Sequence, residues 1–375
     1  MNTQTELFSS DLAIHPPATE GIKYAGSKLK LIPQILRMAQ KVHANTIFDG
    51  FSGTTRVSQA FARCGYGVAS NDRAVWSEVL ATCYLKGRPP NTYSELIQHL
   101  NAVSPRDGWF TNCYGGRPNG GCEQKRPWQV HNTRKLDGVR EEIERLALDP
   151  VDKAVALTSL LLALDEVDST IGHFASYLRE WSPRSYKNLR LRVPAIINRG
   201  EGLGHTVYRS DIFDLIDTVT ADIAYYDPPY GSNNEKMPPS RVRYASYYHV
   251  WTSVCLFDKP EVFGKVNRRV DTADSIAASV FEEFRRGANG KFIAVDAIAK
   301  LLARTRSSYI ILSYSSGGRA TSAELNEAIS SCGELIDVME IDHKRNVMAD
   351  MSWTKEWLRE AGEPNREFLF LIARR

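Results

Sequence analysis

The sequence predicts an α/β fold built from β-α-β units and divided by a mainly helical insertion. Three observations point there. Residues 45–80, NTIFDGFSGTTRVSQAFARCGYGVASNDRAVWSEVL, read as strand, glycine-bearing turn, helix, a Gly65-Tyr66-Gly67 break, a second strand ending at Asp72, and another helix. Residues 224–234, AYYDPPYGSNN, run an apolar strand into a carboxylate and two prolines. Both prolines lack an N–H and push the residue before them toward extended geometry, so the strand must stop in a stiff acidic tip. The last third of the chain alternates strand and helix again.

Taken in order, residues 1–20 are expected to form a mobile tail. GIKYAGSKLKLIPQILRMA follows, with Ile32, Ile35, Leu36 and Ala39 at helical spacing. After the βαβα unit, residues 85–204 change character. They hold an irregular Gly, Asn and Pro-rich piece (107–127), helices expected over Thr133–Ala147 and Val151–Val167, and the basic stretch PRSYKNLRLRVPAIINR. Strand-like chain returns at HTVYRSDIFDLI and DIAYYDPPY, followed by an expected loop from Gly231 to about Tyr248. SSYIILSYSS reads as a buried strand, AELNEAISSCG as a helix, and LIDVMEIDHKRNV and REFLFLIARR as two late strands. The expected organisation is one catalytic domain made of residues 21–84 and 205–375, split by an insertion at 85–204.

With 375 residues, 43% apolar and 24% charged, the chain can bury a sizeable core. Its 47 basic residues stand against 44 acidic ones, so a polyanionic partner must be met by local patches rather than bulk charge. The longest apolar run, Val155 to Leu164, is far short of the roughly 20 residues a membrane helix needs. Six scattered cysteines without a CxxC pair, after a polar start with two prolines, fit a reducing, cytoplasmic compartment. Cys113, Cys122 and His131 match no common zinc spacing, and no metal is expected.

The chemistry begins at FDGFSGTT. Asp49 at a strand end, then Gly50 and Gly53 leading into a helix, lets backbone N–H groups and a helix N-terminus approach a ligand. Such turns also open many purely structural units. Asp72 follows Asp49 by 23 residues, the place where a carboxylate commonly accepts ribose hydroxyls, although a helix N-cap is the plainer alternative. GxGxxG is absent, which favours adenosylmethionine over a dinucleotide. At Asp227-Pro228-Pro229-Tyr230 the Asp227 carboxylate and the Pro228 carbonyl could accept both hydrogens of an exocyclic aromatic amine. That would draw the nitrogen toward tetrahedral geometry and free its lone pair for attack on a methylsulfonium. Proline at 228 and 229 holds the acceptors rigid, and Tyr230 would stack on the base, which must leave the duplex to enter such a pocket.

These residues resemble the Dam-like adenine-specific DNA methyltransferases of the alpha motif order, in which a K-[YW]-x-G-[GS]-K motif, a Phe-x-Gly-type motif, a target-recognition insertion and Asp-Pro-Pro-Tyr follow one another. The same order stands here as KYAGSK at 23–28, FDGFSGTT at 48–55, SND at 70–72 and DPPY at 227–230. SDIF at 210–213, YHVWTSVCLFDKPEVFGK, LSYSS at 312–316 and NREFLFLI at 365–372 extend the similarity from about residue 21 to the end. The glycine turn, Gly50-Phe51-Ser52-Gly53 followed by threonines, is less rich in glycine and alanine than in the Dam subgroup. The resemblance implies a Rossmann-like class I methyltransferase sheet with an inserted, mainly helical target-recognition domain. It also implies S-adenosylmethionine as methyl donor, with Tyr24, Lys28, Asp49, Phe51, Gly53, Asp72, Asp211 and Asp227 around it: Tyr24 packing on it, Asp72 on the ribose, Asp211 near the adenine.

Double-stranded DNA is the implied partner, with a separately acting restriction endonuclease as a candidate second one. Arg184, Lys187, Arg190, Arg192 and Arg199 are placed on phosphates, a reading that competes with a simple solvated face. Arg241 and Arg243, beside Tyr244, Tyr247 and Tyr248, are expected to grip the distorted strand, unless the tyrosines only pack. The alternatives are an RNA adenine or DNA cytosine-N4 methyltransferase, or a non-catalytic nucleoside- or DNA-binding module.

Overall fold

The computed structural model describes residues 16–117, 126–178, 180–197, 204–231, 243–277, 279–342 and 366–375. Seven strands form one sheet: β1 (Thr46–Asp49), β2 (Gly67–Asn71), β3 (Thr206–Tyr208), β4 (Ile223–Tyr226), β5 (Tyr309–Ser315), β6 (Gly333–Asp342) and β7 (Arg366–Arg374). Their spatial order is 6-7-5-4-1-2-3. β7 runs antiparallel to β5 and β6, and all other neighbours are parallel. This is the Rossmann-like arrangement the sequence implied.

Helices cover both faces, which is why the central strands read as unbroken apolar runs. All four residues of β4 are buried. Tyr225 joins Ile47, Ile311 and the helices α1 (Ile32–Ala39) and α2 (Arg56–Arg63) on one face. Tyr226 joins Phe48, Leu312 and the helices Ile293–Arg304 and Ser322–Cys332 on the other. The chain leaves β1 toward β2 and β3 and returns at β4 to build outward the other way. A reversal of this kind opens a crevice beyond the carboxyl ends of the two strands, here β1 and β4.

Between β2 and β3 lie α3 (Val75–Lys86), α4 (Ser94–Ala102), α5 (Trp109–Tyr114), α6 (Val130–Arg145) and α7 (Pro150–Glu166). The last two overlap the expected helices, each beginning a little earlier. Asp149 starts α7 by accepting the amides of Val151 and Asp152, with Pro150 in the first turn where its missing N–H does no harm. Leu160, Leu161 and Trp128 of the insertion share a core with Leu80 and Tyr84 of α3 and Trp251 of helix His249–Leu256. The core of residues 85–204 thus continues into the helix that follows β2 and into helix His249–Leu256.

Two expectations change. Only the first part of HTVYRSDIFDLI is strand; Asp211 accepts the Phe213 amide at 3.0 Å and turns the chain into helix Ile212–Leu215. The segment expected as a loop up to Tyr248 contains a helical turn at Tyr244–Tyr247, while residues 232–242 lie outside the described residues, as do residues 1–15 of the expected tail and 343–365. No described helix is long and apolar enough to cross a membrane. Among the described residues no group of three His, Cys, Asp or Glu side chains is placed to hold a metal; Cys122 lies outside them.

Candidate active site

Asp49 ends β1 fully buried. Ser58 donates to its Oδ2 at 2.6 Å, while Oδ1 has no hydrogen-bond partner among the described residues. Burial, reinforced by the charges of Asp227 and Asp72, pushes this carboxyl up to about 7 against the pull of the Ser58 hydroxyl. The next residue must be small. A Cβ on Gly50 would stand 2.6 Å from the ring of Tyr226, so the turn after β1 lies directly against β4. Gly53 has φ +48°, and a Cβ there would meet the Tyr24 ring at 3.2 Å.

Asp72 holds this turn. It accepts the Gly53 amide at 2.9 Å and the Ala74 amide at 2.9 Å, tying the turn to the residue that starts α3; the N-cap of that helix is Ala74, with no side-chain cap, so the capping alternative weighed for Asp72 does not hold. Tyr24 lies in an aromatic stack with Tyr248 (centroids 4.8 Å) and Tyr244 (5.3 Å), and tilts on Trp76 at 5.6 Å. The Tyr248 hydroxyl accepts the Ala25 amide at 2.6 Å, fixing the KYAGSK segment over the glycine turn. Phe51 packs edge-on against Tyr226 and Phe281. Asp211 is at the rim, half exposed and 3.7 Å from Arg73.

At the tip of β4, Asp227 is pushed up to about 6. Burial raises it most, Lys28 opposes that, and the charge of Glu367 raises it further. Lys28 Nζ lies 2.9 Å from Asp227 Oδ1, 3.0 Å from Glu367 Oε1 and 2.7 Å from the Tyr230 hydroxyl. Lys28, expected among the cofactor contacts, therefore stands at the seam between the glycine turn and the acidic tip, with its ammonium on two carboxylates. The Tyr230 hydroxyl bonds to Asp227 Oδ1, to Glu367 Oε1 at 2.6 Å and to Ser313 at 3.2 Å. Its half-buried ring tilts against Tyr314 at 4.9 Å, and its carbonyl accepts the Arg319 amide at 3.1 Å. A stacking role toward a base rests on the part of the ring left open.

The expected phosphate contacts separate into two groups. Arg184 is engaged within the protein: it pairs with buried Asp168 at 2.5 Å and also bonds the carbonyls of Asp168 (2.7 Å) and Thr170 (2.9 Å). Arg192 pairs with Glu20 and with Glu166 at 3.4 Å. A carboxylate as buried as Asp168 needs cations, and Arg184 shares that task with Lys23, 3.2 Å from the same Oδ1. Lys187 and Arg190 have exposed side chains. Arg243 lies beside Arg268, Thr272 and Glu282, and Arg199 and Arg241 lie outside the described residues. Tyr247 and Tyr248 pack into the core. Glu367 and Ser313 were not singled out from the sequence; they sit in the motifs NREFLFLI and LSYSS, but nothing in either motif names their partner.

The sequence pattern of the D12 class N6 adenine-specific DNA methyltransferases matches residues 24–263. The chain is similar to modification methylase StsI of Streptococcus sanguinis, 27% identical over 356 residues that make up 89% of this chain and 50% of that protein. It is similar to type II methyltransferase M.FokI of Planomicrobium okeanokoites, 26% identical over 83% of this chain and 47% of that protein. With M.NlaIII of Neisseria lactamica the figures are 27% identity, 86% and 92%. The chain spans about half the length of the first two relatives and nearly all of the third.

Proposed function

Because the chain belongs to the D12 class N6 adenine-specific DNA methyltransferases, we propose that it transfers a methyl group from S-adenosyl-L-methionine to N6 of an adenine flipped out of double-stranded DNA. We place it as the modification partner of a separately acting restriction endonuclease, a reading supported by the type II names of its relatives. The observation that carries the reading is Asp227, a largely buried carboxylate at the tip of β4, tethered through Oδ1 directly beside the glycine turn of β1.

The residues present fit the methyl donor. The orphaned Asp49 Oδ1 is an acceptor that an α-ammonium would satisfy, and Tyr24 over Gly53 offers an aromatic wall. Bound adenosylmethionine would supply an electrophilic methyl on a positively charged sulfur. The chain's own groups prepare the other reactant. Asp227 Oδ2 and the Pro228 carbonyl accept the two amine hydrogens and bend the nitrogen out of conjugation with the ring. The lone pair so freed would be the nucleophile for that methyl, with the C–S bonding pair left to the sulfur. The nitrogen must afterwards lose one proton, and the Asp227 carboxylate, already raised toward neutrality, is the adjacent acceptor.

Incubation with unmethylated DNA and methyl-labelled adenosylmethionine, followed by digestion to nucleosides, tests this. Label is expected in N6-methyldeoxyadenosine, and Asp227→Ala should abolish it while DNA binding stays largely intact. Label in methylcytidine, or only when RNA is supplied, would overturn the substrate.

A further inference from the structure

Glu367 is a carboxylate in a place where an apolar side chain would pack more easily. It stands near the start of β7, just before the apolar run Phe368 to Ala373, and is 2% exposed. Taking a carboxylate out of water costs several kcal/mol unless it is paired and hydrogen-bonded, and three donors meet that need at one atom. Lys28 Nζ (3.0 Å), the Tyr230 hydroxyl (2.6 Å) and the Ser313 hydroxyl (2.6 Å) converge on Oε1. Two of the three also touch Asp227 Oδ1.

That sharing has an electrostatic consequence. Lys28 and Asp227 alone would form a neutral pair. With Glu367 the cluster holds one cation and two carboxylates, so it is one charge negative before reaction. The single proton of Tyr230 can serve only one of the two carboxylates at a time. We propose that Glu367 is a positioning residue for methyl transfer: by drawing Lys28 and Tyr230 toward itself, it keeps Asp227 incompletely neutralised and leaves the cluster able to take up exactly one proton. This rests on the methyltransferase reading above. After the methyl group has moved, an N–H bond of the methylated amine breaks, its electron pair remains on nitrogen, and an O–H bond forms on Asp227. The cluster then goes from one negative charge to none. Without Glu367 the same step would leave it positive.

The direction of the carboxyl shifts agrees. For Glu367 burial alone would raise the value, but the Lys28 charge and the Ser313 and Tyr230 bonds outweigh it, so it stays low and charged. Asp227 goes the other way, with Glu367 among the causes. The other titratable groups that bear on Asp227 are Asp49 from β1, Tyr24 from the KYAGSK segment, Tyr225 from β4 and Tyr244 from its helical turn.

The test is the single-turnover rate of label transfer to DNA against pH for the parent, Glu367→Gln and Glu367→Asp. In the parent the rate should fall on the acid side as Asp227 becomes protonated. Glu367→Gln removes a charge that raises Asp227, so its acid limb should move down by about half a pH unit or more, with a plateau about tenfold lower. Adenosylmethionine affinity should change less than about twofold. Glu367→Asp keeps the charge and should keep the parental limb even if slower. An unshifted limb in Gln, the same shift in Asp, or a loss of affinity that matches the loss of rate would overturn the proposal. A parent that transfers no label removes both readings, whereas a labelling parent beside an unshifted Gln variant removes the Glu367 role alone.

Discussion

Lys28→Met is the perturbation that most directly probes the electrostatics of the site. Among the described residues Lys28 is the cation that touches Asp227 and Glu367, and it is 7% exposed against 16% and 2% for their side chains. Removing one partner of a buried ion pair leaves an uncompensated charge and costs about 3–5 kcal/mol, a large part of the roughly 5–15 kcal/mol that holds a domain folded. Here two carboxylates are stranded together, so the variant should respond by binding a proton. The native carboxyl values then lie above the unfolded ones, near 4. Stability from that proton is fully present below the unfolded values and is lost as pH rises through the raised native value. The parent's own Asp227 already holds its proton up to about 6, so from there toward pH 8 the variant should lose about 1.4 kcal/mol per pH unit more than the parent, until the native carboxyl ionises. Urea denaturation followed by tryptophan fluorescence reads this, since Trp76, Trp128 and Trp251 are buried. A variant as stable as the parent at pH 8, or one whose loss is the same at pH 5 and pH 8, would refute the assignment of Lys28 as the neutralising charge.

Gly53→Ala forces an ordinary residue to φ +48° with its Cβ 3.2 Å from the Tyr24 ring. The left-handed conformation costs about 1–2 kcal/mol, so adenosylmethionine binding by calorimetry should weaken by about tenfold if the strain is relieved by moving the turn; unchanged affinity and melting would show that the turn does not contact the donor. Lys187→Ala and Arg190→Ala should leave the melting temperature alone, weaken DNA binding, and each lower the salt slope by about one. Arg184→Ala should instead lower the melting temperature modestly, because the buried Asp168 keeps only Lys23 at 3.2 Å, and a weakened DNA affinity without lost stability would reverse that assignment.

What could be read in advance and what could not divide along the range of the interactions. The turn at Gly50 and Gly53, the tip at Asp227 and the helix starting near Asp149 each depend on residues close in sequence, so their chemistry was visible in the string. Arg184 and Arg192 looked like an acid-free basic stretch because the acids that hold them, Asp168, Glu166 and Glu20, lie outside that stretch and come to it only through folding. Asp211 carried its own helix-capping signal, but the apolar residues around it at 206–216 imitate a strand. Glu367 needed the topology itself. β7 is inserted antiparallel between β5 and β6, so its first residues lie where β4 and β5 end, and Glu367 pairs in register with Ser315. In a sheet whose ligands gather beyond the carboxyl ends of the parallel strands, the start of the one antiparallel strand faces the same crevice. A charged pair, Arg366 and Glu367, ahead of the apolar run Phe368 to Ala373 reads as a frayed edge when the strand is taken alone. Given the 4-5-7-6 order, it becomes a carboxylate delivered to the acidic tip of β4, three hundred and more residues after the lysine it shares.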